Sequence, residues 1–296
     1  MKNRRRQVLF SAQKLFVEKG FTATSVQDIL NESQISKGTF YNYFTSKNEC
    51  LMAILDFGQE ETMIRRQELL IGQDISDKAI LAEQISVRQQ VNRDHNLFPI
   101  FQAIFHSGDP DLSSFAKKNH IAELNWLAER LIDVYGKSAL PYVSDCAVLM
   151  LGMMHHMLQT QSSSSLEEVD TVELVKFIIR RMDSIIPTMI KTEDRLLEEG
   201  LFESGRANSN KNVHTKKELL LQLTAFLKRL ENEKHPSGKE YLDFLVDEIN
   251  SAHPRRFLLE TITRSFRELF IDTSYELEAR KIASDLWIYI ENIKEK

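Results

Sequence analysis

An all-α fold is what this sequence predicts. Apolar residues recur three and four apart through most of its 296 residues, and no stretch alternates convincingly as a strand would. Ser or Thr stands three residues before Glu at several helix starts, the spacing of a capping box. Ten Gly and six Pro are too few for a turn-rich β architecture. The length suits two or three domains, predicted over 1–50, 51–195 and 196–296.

The first fifty residues read as short, clearly punctuated helices. Val8, Leu9, Ala12, Leu15 and Phe16 share one helical face, and Gly20 stops the helix. A second helix starts at Thr24 or Ser25, whose hydroxyls suit an N-cap, and buries Val26, Ile29 and Leu30. Ser36 caps a third helix over 37–44, and Ser46 with Glu49 opens a longer fourth. Two short helices joined by "NESQI" have the layout of a helix-turn-helix.

Further helices are expected near 75–93, 97–106, 111–135, 141–160 and 166–190, the last opened by the Ser165/Glu168 pair. Polar residues 203–214 read as a linker. Beyond it, helices are expected around 215–233, 237–251, 254–271 and 274–293. Their starts are marked by Thr215/Glu218, Ser237/Glu240, Pro254 and Thr273/Glu276.

Charge is unevenly spread. Residues 1–50 hold eight Lys/Arg against four Asp/Glu, whereas 51–190 hold twelve against nineteen, and the whole chain nets −5. A basic head on an acidic body is the asymmetry expected where only the head meets a polyanion. No run approaches the roughly 18 apolar residues of a membrane span, and the basic N-terminus lacks a signal peptide's apolar core. Cys50 and Cys146 form no CxxC pair and read as free thiols of a cytoplasmic protein.

The third helix explains what the head meets. At about 100° per residue, Phe40 and Phe44 share one side and Asn42 lies roughly opposite, with Gly38, Thr39 and Tyr41 around it and Tyr43 at the edge. Lys37 reaches outward from the first turn. Gly38 permits close backbone approach, and Lys37 and Asn42 suit guanine and adenine edges in a major groove. Thr39 and Tyr41 offer a methyl or ring to thymine and a hydroxyl to base or phosphate. Ser36 caps this helix; Thr24, Ser25 and Lys47 stand at starts whose free N–H groups hold phosphates without reading sequence. The predicted partner is double-stranded DNA.

Residues 12–55, from "AQKLFVEKGFTATS" through "SKGTFYNYF" to "SKNECLMAIL", closely resemble the DNA-binding domain of TetR/AcrR-family transcriptional regulators. Ser33-Gln34 departs from the pattern, where the family often places a small residue and Gly in the turn. The resemblance implies a homodimer with an all-helical C-terminal ligand-binding and dimerisation domain, its last two helices packing against their symmetry mates. Here those helices are about 141–160 and 166–190, where Val148, Leu151, Leu158, Val172, Val175, Phe177, Ile178 and Ile185 suit such a role. It also implies repression of a palindromic operator, relieved by a small-molecule effector. A transporter gene next door would indicate efflux control.

Candidate effector contacts are Phe98, Phe101, Phe105, His106 and Trp126, with the Met150/Met154/Met157 stripe, because Met and aromatic side chains suit bulky lipophilic ligands. The acidic middle segment would favour a cationic ligand, though surface charge says little about a pocket. Neither a metal nor a cofactor is expected: His155 and His156 point about 100° apart, which is poor chelate spacing. No GxGxxG, Walker lysine, HExxH or GxSxG is present, so no enzyme is expected. The alternative is a helical adaptor whose basic head docks another protein. The stretch beyond about 191 outruns the family's usual length; extra core, a larger dimer interface and a partner-binding module all fit it.

Overall fold

The computed structural model describes residues 2–163, 170–198, 216–233 and 236–293, and among these every regular element is helical. The chain forms two compact units, residues 1–206 and 207–296.

The first unit opens with α1 (Lys2–Glu18), α2 (Val26–Ser33), α3 (Lys37–Tyr41) and α4 (Lys47–Glu68). Val8, Leu9, Ala12, Leu15 and Phe16 of α1 are buried together with Ile29, Leu30, Phe40 and Phe44, the face that their spacing predicts. Ser25, not Thr24, caps α2: its hydroxyl accepts from the Asp28 amide at 3.1 Å, and the Asp28 carboxylate accepts from the Ser25 amide at 2.8 Å. The first unit continues through α5 (Lys78–Asp94), α6 (Phe98–Ser107), α7 (Pro110–Tyr135), a 3-10 turn (Lys137–Tyr142), α8 (Val143–Ser163) and α9 (Thr171–Thr192). Asp109 caps α7 by accepting from the Asp111 and Leu112 amides, and Asn48 of α4 holds the same carboxylate at 2.7 Å.

The core of the head does not close within the first fifty residues. Leu97, Ile100, Ile104 and Leu112, at α6 and the start of α7, are buried in one cluster with the apolar faces of α1 to α4. A second cluster gathers α5, α7, α8 and α9 around Leu81, Leu127, Cys146, Val175, Ile178 and Met182. The long α4 runs between the two: Leu51 and Ile54 lie in the first, and Arg66 at its far end is 2% exposed against α5 and α7.

The second unit is a four-helix bundle of α10 (Lys216–Glu233), α11 (Pro236–Asn250), α12 (Arg256–Leu269) and α13 (Glu276–Asn292), each packing on the next and the last closing on the first. At its centre Phe266 stands edge-to-face with Phe226 and Phe270, which are tilted to each other, among Leu223, Leu245 and Leu286. Three expected helix starts move. Pro236 already lies inside α11, so Ser237 is not its cap. Helix α12 begins at Arg256 and not at Pro254, because the Glu248 carboxylate accepts from the Arg255 amide at 2.6 Å and holds that residue extended. Tyr275 precedes α13 without a capping side-chain bond, while Thr273 accepts from the Tyr275 amide at 3.2 Å and Glu276 from the Asp272 amide at 3.1 Å. Ser165/Glu168, Thr215 and the 203–214 linker lie outside the described residues.

Candidate nucleic-acid interface and inner cavity

The third helix is shorter than expected, ending at Tyr41, yet its turn persists because the Phe44 amide still donates to the Phe40 carbonyl at 2.9 Å. The angular arrangement therefore holds through Phe44. Phe40 and Phe44 are 0% and 1% exposed, and Lys37, Gly38, Tyr41 and Asn42 face solvent. Thr39 and Tyr43 are half-buried; the Thr39 hydroxyl lies 2.9 Å from that of Ser36, and Tyr43 packs against the head core. The Tyr41 ring stands edge-on to Phe40 at 5.4 Å, which orients an exposed aromatic without burying it. A Cβ at Gly38 would meet nothing nearer than the Ser36 hydroxyl at 3.9 Å. The chain's own packing thus leaves this spot free for a close outside approach.

Two of the expected phosphate contacts are engaged inside the head. Thr24 is 1% exposed, and its hydroxyl donates to the carbonyls of Leu15 at 3.2 Å and Gly20 at 2.8 Å. The Lys47 ammonium donates to the carbonyls of Phe21 and Thr24, both at 2.7 Å, and sits 4.3 Å over the Phe21 ring. Burial lowers its pKa from the usual lysine value. One of its three protons remains for an outside acceptor. Ser25 stays exposed, bound to an Asp28 whose carboxyl is held down to about 2 by hydrogen bonds from Ser25 and then Lys19. A residue not singled out from sequence joins this surface: Arg5 is exposed, with its guanidinium 4.9 Å from the Phe44 ring centre at the end of the reading turn. Its signal was the "RRR" run at 4–6, which sequence reasoning used only as charge.

Behind the head, α5, α6, α7 and α8 line an open cavity of about 1090 Å³. Leu124, Val148, Leu151, Leu158 and the expected Phe98 and Met154 give it an apolar lining. The other expected contacts disperse. Phe101 packs on the head core, Met150 is 3% exposed in the central cluster, and Met157 lines a separate groove of about 530 Å³ beside Phe177 and Arg180. Trp126 lies under the Arg66 guanidinium, 3.4 Å from ring centre to carbon. The side chains of Phe105 and His106 lie outside the described residues.

One wall of the cavity is polar. Arg88, Arg93, His120, Glu123 and His155 line it. Glu123 accepts both Arg66 Nη atoms, at 2.6 and 3.0 Å, and Arg88 at 2.9 Å. Burial alone would raise this carboxyl, but the charges of Arg66 and Arg88 outweigh it and hold it at about 2. Arg66 also donates to the Gln84 carbonyl, and Gln84 returns a bond to the Arg66 carbonyl at 2.7 Å. The end of α4 is thus tied to α5 and α7 at the cavity wall. Among the described residues no cluster of three or more His, Cys, Asp or Glu could hold a metal ion, and no helix is long and apolar enough to cross a membrane.

Residues 8–54 match the model of the bacterial regulatory proteins of the tetR family. The chain is 26% identical over 274 residues to the uncharacterised HTH-type transcriptional regulator YuxN of Bacillus subtilis strain 168, covering 90% of this chain and 93% of that one. It is 28% identical over 138 residues to the HTH-type transcriptional regulator UidR of Escherichia coli K12, covering 45% and 67%. It is 26% identical over 131 residues to the transposon Tn10 TetC protein of Escherichia coli, covering 41% and 62%. No solved structure matches. Fold and face together define a helix-turn-helix DNA-binding protein. Over residues 8–54 the chain is similar to the DNA-binding domain of the TetR family of transcriptional regulators, and the relatives it matches are HTH-type transcriptional regulators.

Proposed function

We propose that the protein is a cytoplasmic, homodimeric repressor that holds a palindromic operator and releases it when a small lipophilic effector enters the α5–α8 cavity. The observation that carries the reading is the face of α3, where Lys37, Gly38, Tyr41 and Asn42 stand exposed over a buried Phe40/Phe44 anchor. Lys37, Thr39, Tyr41 and Asn42 read base edges, with Tyr43 at the rim, while Ser25, Ser36, Lys47 and Arg5 fix register on phosphates. Thr24 supports them from beneath through its carbonyl bonds.

A dimer through α8 and α9 is supported by Val148, Leu149, Met157 and Phe177, each between 36% and 45% exposed on those helices. Of the other residues expected there, Val175 and Ile178 are 1% exposed in the unit's own core, and Leu151, Leu158, Val172 and Ile185 are half-buried against it. Two reading helices then enter successive major grooves, about 34 Å apart. Signal transfer has two physical routes: α6, whose Ile100 and Ile104 belong to the head core, and α4, whose Arg66 is bound to the cavity's Glu123. An effector shifts this equilibrium only by binding the released conformation better than the DNA-bound one. A transporter gene beside the coding sequence would extend the reading to efflux control.

The test is a salt titration of binding to the DNA upstream of the protein's own gene, followed by fluorescence anisotropy. With six to ten phosphate contacts, affinity falls by about 10³ to 10⁵ between 50 and 200 mM salt. A protein whose affinity for that DNA is absent, or indifferent to salt, is not acting through this face.

A further inference from the structure

The cavity wall carries charge of one sign beyond what its own partners neutralise. Its ionised lining groups outside the histidines are Arg88, Arg93 and Glu123. Glu123 is already shared between Arg88 and the buried Arg66, so one carboxylate faces two guanidinium groups. Arg93, exposed at the mouth of the cavity near the end of α5, donates to the neutral Thr171 hydroxyl at 3.1 Å, and no carboxylate pairs with it among the described residues. His120 and His155 add two further groups that can only be neutral or positive. Across the cavity from α5, Leu151, Met154 and Leu158 of α8 offer an apolar bed next to Phe98. The excess of acid over residues 51–190 is therefore not what a ligand in this cavity meets.

We propose that the cavity takes an amphiphilic organic anion, its apolar chain along α8 and Phe98 and its carboxylate head on Arg93 and Arg88. This rests on the effector reading above and names the ligand class for that same site. A guanidinium offers a planar fork that matches a carboxylate in two bonds, which a neutral or cationic head cannot use. The head would also compete with Glu123 for Arg88, and Glu123 is the residue that holds Arg66 of α4. Ligand charge and head position are thereby coupled through one carboxylate.

The probes are dodecanoate, dodecanol and dodecylammonium, below their micellar concentrations, titrated calorimetrically into the full-length protein. Dodecanoate binds about tenfold or more tighter than either of the others, the worth of one charge-assisted pair. Arg93→Gln brings dodecanoate to within about threefold of dodecanol and leaves dodecanol unchanged. A second variant works in the opposite sense. A Cβ at Gly152 on α8 meets nothing within 4 Å, so Gly152→Glu places a carboxylate in the cavity lining without a packing conflict. It weakens dodecanoate about tenfold and spares or strengthens dodecylammonium. Dodecanol or dodecylammonium binding as tightly as dodecanoate overturns the anion class and leaves the effector reading standing. An anion preference that survives Arg93→Gln overturns the headgroup assignment. No binding by any probe overturns the ligand class. Dodecanoate that binds selectively without changing affinity for the upstream DNA upholds the inference and removes the effector reading instead.

Discussion

Lys47 has a structural role that its sequence position does not show. At the start of α4 it reads as a phosphate anchor, yet its ammonium closes the α1–α2 turn by binding the Phe21 and Thr24 carbonyls. Lys47→Ala should therefore weaken specific and nonspecific DNA alike, lower the salt slope by about 1, and cost about 2 kcal/mol of stability. Anisotropy and urea unfolding read the two effects separately, and undiminished DNA binding would remove the anchor assignment. Asn42→Ala or Tyr41→Ala should instead leave stability intact and flatten discrimination by about 1–3 kcal/mol at one base pair. The buried acids give the residue scale its pH dependence. Glu123 is held at about 2 against burial by Arg66 and Arg88, and Glu61 at about 2, again against burial, by His95 and Arg65. Both lie below the usual 4.5, so the stability they contribute is whole above that pH and is lost as pH falls towards about 2. Glu123→Gln should cost about 3 kcal/mol at pH 7, because Arg66 stays buried with half its partner gone, and should flatten the acid limb of the stability profile. A variant with wild-type acid sensitivity would place that sensitivity elsewhere.

At the scale of elements, the turn between α2 and α3 holds stored strain. Gln34 ends α2 in the left-handed region at φ 53°, where the Ile35 amide donates back to the Leu30 carbonyl at 3.1 Å. This is the position at which the sequence departs from the family's glycine. A non-glycine residue there costs about 1–2 kcal/mol, offset in part by the entropy glycine loses on folding. Gln34→Gly should stabilise by about 0.5–1 kcal/mol in chemical unfolding without changing DNA affinity; a destabilised variant would mean that the Gln34 side chain contributes. The helices were legible because burying one face demands a 3.6-residue period, as in Val8, Leu9, Ala12, Leu15 and Phe16, all buried. Starts set by distant partners were not. The start of α12 moves two residues past Pro254 because a carboxylate seven residues back holds Arg255 extended, and Thr24 is drawn inward by the Leu15 carbonyl of the preceding helix. The outward face of α3 followed from angles alone, whereas the cavity wall did not. Arg88 and Arg93 look like any solvated helix residues until the fold gathers them on one wall of the cavity, and Met150 and Phe101 look like ligand contacts until the cores they fill are seen.

At the scale of the molecule, two units carry separate hydrophobic cores, and the relationship to YuxN encompasses both. An alignment of 274 residues cannot fit within 1–206, so the bundle beyond belongs to the matched length. Its core is well made: Phe226, Phe266, Phe270, Leu223, Leu245 and Leu286 are all 0% exposed. Each unit has the buried apolar surface to unfold cooperatively on its own account, which separates the regulator's stability into two quantities. Differential scanning calorimetry should show two transitions. Phe266 touches Phe226 at 6.0 Å and Phe270 at 5.3 Å between ring centres, so Phe266→Ala removes the centre of one core only. A cost of about 3–5 kcal/mol in a unit of this size lowers its transition by more than about 10 °C. The other transition, which Lys47→Ala lowers, should stay where it is, and operator affinity at 25 °C should be unchanged. If Phe266→Ala shifts both transitions together, the two cores unfold as one, and the bundle is part of the regulatory unit's stability.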